Sequence, residues 1–155
     1  MNYDPQYTMP AAMNDARTVA VEIYRHQAWK ARVRCFWAFV TRASGHLQEL
    51  RSGDEAGVNR QGAYVGMRAV AIETIQGSEE RAEDFDNRFR PLSWHTRERW
   101  LSVAEARLRG VNLPPVQLIE VGGRYFVRDG HHRISVAQAL GETYIDAEVT
   151  RWQIR

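Results

Sequence analysis

A chain of 155 residues with a net charge of +2 and one cysteine has the length of a single domain, and that charge is too small to argue nucleic-acid binding by itself. Cys35 alone excludes an intramolecular disulfide and any multi-cysteine metal site, which fits a reducing compartment. No apolar run reaches transmembrane length, and the opening Met1-Asn2-Tyr3-Asp4-Pro5 has neither the basic nor the apolar stretch of a secretory signal, so a cytoplasmic location without a membrane partner is expected. Lys30 is the sole lysine. An arginine-dominated set of bases suits phosphate recognition, although GC-rich coding produces the same bias.

Residues 1–13 contain Pro5 and Pro10 without periodicity and read as a loose tail. Asn14 is a candidate N-cap, with Asp15 in the first turn. From there to about Arg51 the pattern is helical: Trp29, Val33, Phe36, Trp37, Val40, Leu47 and Leu50 recur at three- and four-residue steps. Arg25, Lys30, Arg32, Arg34 and Arg42 occupy the other face. This segment, 14–51, reads as one long amphipathic helix or as two broken near Ser44-Gly45. Its apolar stripe can pack on the rest of the chain, the default, or form a homodimer seam, and its basic face can meet DNA or an acidic protein. The aromatic stripe is taken as core rather than as a cofactor box.

Residues 52–66 carry Gly53, Gly57, Gly62 and Gly66 and read as a linker, which places the start of the main domain near residue 67 and its end at 155. Val70, Ile72 and Ile75 alternate as in a strand, and a polar loop with Glu79, Glu80 and Arg81 follows. Ser93 or Thr96 is the candidate cap of a helix to about Arg109, with Trp100, Val103, Ala104 and Leu108 inward. Leu113-Pro114-Pro115 leads into a strand over 116–121, Gly122-Gly123 turns it, and Tyr125-Phe126-Val127 returns. The last strand is 144–149. The pattern as a whole is α+β, a small mixed sheet with packed helices preceded by the N-terminal helical segment.

Residues 125–137 are the most informative stretch. A strand runs into Asp129-Gly130, which is turn chemistry. A helix with Ile134, Val136, Ala137 and Leu140 on its apolar face begins among His131, His132, Arg133 and Ser135 and stops at Gly141. Backbone N–H groups and the positive dipole end of a first helical turn, joined by a guanidinium and two imidazoles, make a candidate phosphate site. The plainer reading is a turn with solvated His and Arg.

The order of strand, polar loop, helix, Pro-led strand, Gly-Gly hairpin, strand, Gly-x-x-Arg turn, helix and strand resembles the ParB/sulfiredoxin superfamily over about residues 68–150. The resemblance is best from Leu113 to Gly141, where Gly130-His131-His132-Arg133 stands at the superfamily's Arg-containing turn. It implies a nucleotide, ATP or CTP with Mg²⁺, whose phosphates Gly130, His131, His132, Arg133, Ser135 and Arg81 would bind. Gly130, His132 and Arg133 match the sulfiredoxin turn, and Gly130 and Arg133 match the ParB one. Asp129-Gly130-His131 is similar to the turn of relatives that phosphorylate free serine. His131 occupies the place of the sulfiredoxin nucleophilic cysteine, and Cys35 belongs to another element, so sulfinic acid reduction is not expected. His131 and His132 also replace the Glu and Arg of ParB, and the helix-turn-helix domain of full partition proteins is absent.

Asp129 has two roles open to it: capping the helix or fixing the turn, or holding Mg²⁺ and accepting a substrate proton. Glu79, Glu80 and Asp84 are candidates for a base or metal contact, against the plain reading of solvated loop charges. No resident metal-ligand cluster is visible, which reads against a nuclease. Two functions follow from the resemblance. One is an NTP phosphate-binding domain that hydrolyses NTP or transfers phosphate to a small molecule, with Asp129, Glu79 and Glu80 as catalytic candidates. The other is a non-catalytic DNA- or protein-binding regulatory module that assembles through residues 14–51.

Overall fold

The computed structural model describes residues 16–41, 48–49, 58–79 and 83–154. In chain order they form α1 (Ala16–Thr41), β1 (Gln48–Glu49), β2 (Val58–Ala71), β3 (Ile75–Ser78), α2 (Arg97–Leu108), β4 (Val116–Val121), β5 (Arg124–Asp129), α3 (His131–Ala139) and β6 (Tyr144–Ile154). The architecture is α+β. Six strands make one mixed sheet in the order β1-β3-β5-β4-β6-β2. β4 and β5 are a hairpin, and both residues of its turn, Gly122 and Gly123, have positive φ (55° and 79°), as a two-residue turn matching strand twist requires. β6 returns parallel to β4 after α3, and β2 runs antiparallel along its outer side.

Alternation along the strands builds two layers of core. Val116 and Leu118 of β4, Val127 of β5 and Ala147 and Val149 of β6 join Phe85 and Ile134 on one face of the sheet. Ile119, Val121, Phe126 and Trp152 lie on the other, as a period of two dictates. A separate cluster of Ala20, Tyr24, Trp100, Leu101, Ala104 and Val136 joins α1, α2 and α3. Burial of these clusters is the main force holding helices to sheet.

Several expectations are corrected here. The first helix does not run on to about Arg51, because Gln48–Glu49 form a short parallel strand on β3. The break foreseen at Ser44-Gly45, the stripe members Leu47 and Leu50 and the tail 1–13 lie outside the described residues. The segment expected as a linker, 52–66, contains the first half of β2. Gly62 and Gly66 serve the strand. A Cβ at Gly62 would come within 2.6 Å of Thr150 and Trp152 side chains, and Gly66 (φ +114°) sits at a register shift against β6. Glycine in a strand marks a close approach or a bulge as often as a break.

The aromatic stripe of α1 does not enter the core. Trp29, Phe36, Trp37, Phe39 and Val40 are exposed, and the buried residues of the helix are Ala20, Tyr24 and Ala31. Small residues let α1 come close to α2, whose Trp100 supplies the bulk: its ring meets Tyr24 edge-on at 5.3 Å. In α2, Trp100 and Ala104 point inward as expected and Leu101 joins them, whereas Leu108 is exposed. Neither Ser93 nor Thr96 caps a helix with its side chain.

Candidate functional site

The site is built on the junction of β5 and α3. Gly130 enters the helix with φ +102°, and a Cβ there would lie 2.5 Å from Cγ1 of Val116. Only glycine meets both conditions. The first helical bond runs from the Ile134 N–H to the Gly130 carbonyl, 3.0 Å. The N-cap residue is Gly130, which has no side chain to cap with, so Asp129 is not the cap that its position suggested. Its Oδ2 instead accepts from Nη2 of Arg133 at 2.5 Å, one turn further on.

Arg133 is tied on both arms. Nη1 donates to the carbonyls of Pro114 (2.6 Å) and Pro115 (2.7 Å). A guanidinium can reach three acceptors at once because its donors form a rigid planar fork. The chain that leads into β4 is thereby fastened to the start of α3.

Both histidines are buried against Phe85. The His131 ring stacks on it with centroids 5.9 Å apart, and the His132 ring meets its edge at 5.3 Å. Nε2 of His131 lies 2.7 Å from Oγ of Ser78, at the end of β3. Ser135 faces away from the turn and accepts from Nε1 of Trp100, 2.8 Å. Glu79 accepts from Nε of Arg128, 2.9 Å, and the Arg128 guanidinium also lies over the Trp152 ring at 5.5 Å. Glu80 and Arg81 lie outside the described residues.

A cleft of about 470 Å³ opens over this junction. Asp129, Gly130, His131, His132 and Arg133 line it, and α2 and β5 add Arg99 and Arg128. Ser135 and Glu79 do not. Three guanidinium groups therefore converge on the start of α3. Two of them are already neighbours of carboxylates; Arg99 is exposed and forms no ion pair among the described residues. Sequence reasoning passed over Arg99, although it precedes Val103 by one turn, and both line the cleft.

Among the described residues Asp129 is the one carboxylate lining the cleft, and Arg133 holds it. Among the described residues no three His, Cys, Asp or Glu side chains cluster as a metal site. These residues do not make a resident Mg²⁺ site. Such an ion fits only as a companion of bound phosphates, which commonly complete its shell. Cys35 does not line the cleft. Burial, and secondarily the charge of Asp86, pushes its thiol above the ordinary range, with Arg34 pulling the other way. This opposes a role as nucleophile.

No protein-family model matches this chain, and no curated protein matches it. Among solved structures it is similar, at the level of the fold, to the crystal structure of sulfiredoxin from Arabidopsis thaliana, with 20% identity over 55% of this chain and 84% of that one and a TM-score of 0.42.

Proposed function

We propose that this protein binds the phosphates of a nucleoside triphosphate in the cleft at the start of α3. The observation that carries the reading is the convergence of Arg99, Arg128 and Arg133 with the N-terminus of α3 on one cavity of about 470 Å³. A cavity of that size suits a small ligand. An N-terminal helical turn flanked by guanidinium groups favours multiply charged oxyanions over neutral molecules. Arg99 makes the mobile contact, because its charge is not already matched. Arg133 positions: it fixes the Pro114–Pro115 segment and Asp129 around the helix start, and this keeps the backbone donors aimed at the cleft.

The reading favours binding over turnover. A general base must be free to take a proton, whereas Asp129 is engaged by Arg133 and Glu79 by Arg128. Phosphoryl transfer through Asp129 requires the Asp129–Arg133 pair to open first.

Calorimetric titration with ATP, CTP, GTP and ADP, with and without Mg²⁺, tests this in the wild type and in Arg99→Ala. Loss of one charge-assisted contact weakens binding by about 10- to 100-fold. Arg99 is exposed, so its removal leaves the fold intact. A folded wild-type protein that takes up none of the four nucleotides overturns the proposal.

A further inference from the structure

The outward face of α1 carries a run of aromatic side chains in contact with solvent. Trp29 is 62% exposed, Phe36 63%, Trp37 60% and Phe39 84%, with Val33 and Val40 beside them. Each aromatic side chain carries about 150–250 Å² of surface. At these exposures α1 presents roughly 600 Å² of apolar area, the upper end of what a monomer ordinarily leaves in water.

Spacing and charge select the occupant. Trp29, Val33, Phe36 and Val40 follow steps of four, three and four, the repeat of two helices packed side by side. The face turned to the protein's own core carries a different set, Ala20, Tyr24 and Ala31. Helix α1 thus has two seams, and the domain fills one of them. From this the geometry points to a second copy of the chain on the other, α1 against α1, antiparallel and centred between Arg34 and Cys35.

In that register Val33 of one copy faces Phe36 of the other, and Trp29 faces Val40. On the flanks, Lys30 of one copy comes to Trp37 of the other, and Arg32 comes to Phe39. Both of these cations meet the face of an aromatic ring, which attracts them. A parallel pair would instead set Lys30 against Arg25 and repel. The two copies together bury roughly 1,200 Å², the lower end of specific interfaces, so the dimer is reversible.

Sedimentation velocity of the full chain from about 1 to about 100 µM spans the range expected of so small an interface. The wild type is expected to pass from monomer to dimer. Phe36→Glu, at a position exposed in the monomer, is expected to lose the dimer and keep the wild-type circular dichroism. Lys30→Glu fixes the direction: it weakens an antiparallel dimer by about threefold to tenfold through the lost ring contact, but tightens a parallel one by meeting Arg25. A wild type that stays monomeric throughout overturns the proposal. So does a dimer that survives Phe36→Glu, or a monomer that instead cosediments with phosphatidylserine vesicles. A tighter Lys30→Glu dimer overturns the antiparallel register.

Discussion

Gly130 shows how one residue can hold a site in place without any chemistry of its own. Its φ of +102° is costly for an L side chain, and the space a Cβ needs is filled by Val116. The two costs act together, about 1–2 kcal/mol for the backbone and about 1–3 kcal/mol for the overlap. Gly130→Ala is therefore expected to lower stability by about 3 kcal/mol, read as the shift of a urea midpoint at unchanged slope. Arg133 illustrates what a sequence can and cannot declare. Its place one turn into a helix that follows Asp-Gly is legible. Its attachment to the Pro114 and Pro115 carbonyls is not, because those acceptors stand 19 and 18 residues away and nothing in a local pattern points to them. Ser135 was grouped with the turn by adjacency alone. The helical rotation of about 100° per residue carries it round to Trp100. Arg99 has the reverse history: it belongs to another element, so only the packing of α2 on α3 brings it to the cleft.

At the scale of elements, β4, β5, α3 and β6 were readable because each carries a strong local signal: the Pro-led start, the Gly-Gly turn, the Asp-Gly entry to the helix and an alternating last strand. β2 was hidden by Gly62 and Gly66, whose roles against Trp152 and at a register shift depend on a partner strand distant in sequence. Helix α1 was legible as a helix but misassigned in its facing. Periodicity finds stripes without saying which one points home, and the bulkier stripe is ordinarily the buried one. Here the small residues face inward because Trp100 fills the space. Cys35 lies on the inward half of α1 and gives a test of that facing. Burial first, then Asp86, raises its thiol pKa in the folded chain. The native state consequently keeps the proton to higher pH than the unfolded chain does. Stability is unaffected below the unfolded pKa and falls as pH rises from there through the folded pKa. Iodoacetamide alkylation, which needs the thiolate, is expected to reach half its maximal rate at a higher pH in the native protein than in urea. Equal midpoints would mean that α1 does not shelter this face.

For the whole molecule, α2 is the element that joins α1, α3 and the cleft. Trp100, Leu101 and Ala104 close the helical cluster with α1 and α3, while Arg99, next to Trp100, stands at the cleft. Helix α1, about 39 Å long against about 18 Å for α2, packs on α2 through Ala20 and Tyr24 and keeps Ala31 buried in its second half, where Trp29, Phe36, Trp37 and Phe39 are exposed. It is thus a wall of the core along one face and, along the other, the surface proposed for assembly. An appendage could be removed without loss; a wall could not. Deleting residues 1–41 uncovers Trp100, Leu101 and Ala104 and forfeits the burial of Ala20, Tyr24 and their neighbours. At about 1.5–3 kcal/mol for each large side chain, the loss is on the order of 5 kcal/mol, a large share of what a domain this size possesses. The truncated chain is expected to unfold at a much lower urea concentration. The nucleotide binding proposed for the cleft should weaken in parallel, because α2 then no longer holds Arg99 firmly against the start of α3. An unchanged urea midpoint would place α1 outside the cooperative unit and make the two seams independent of the fold.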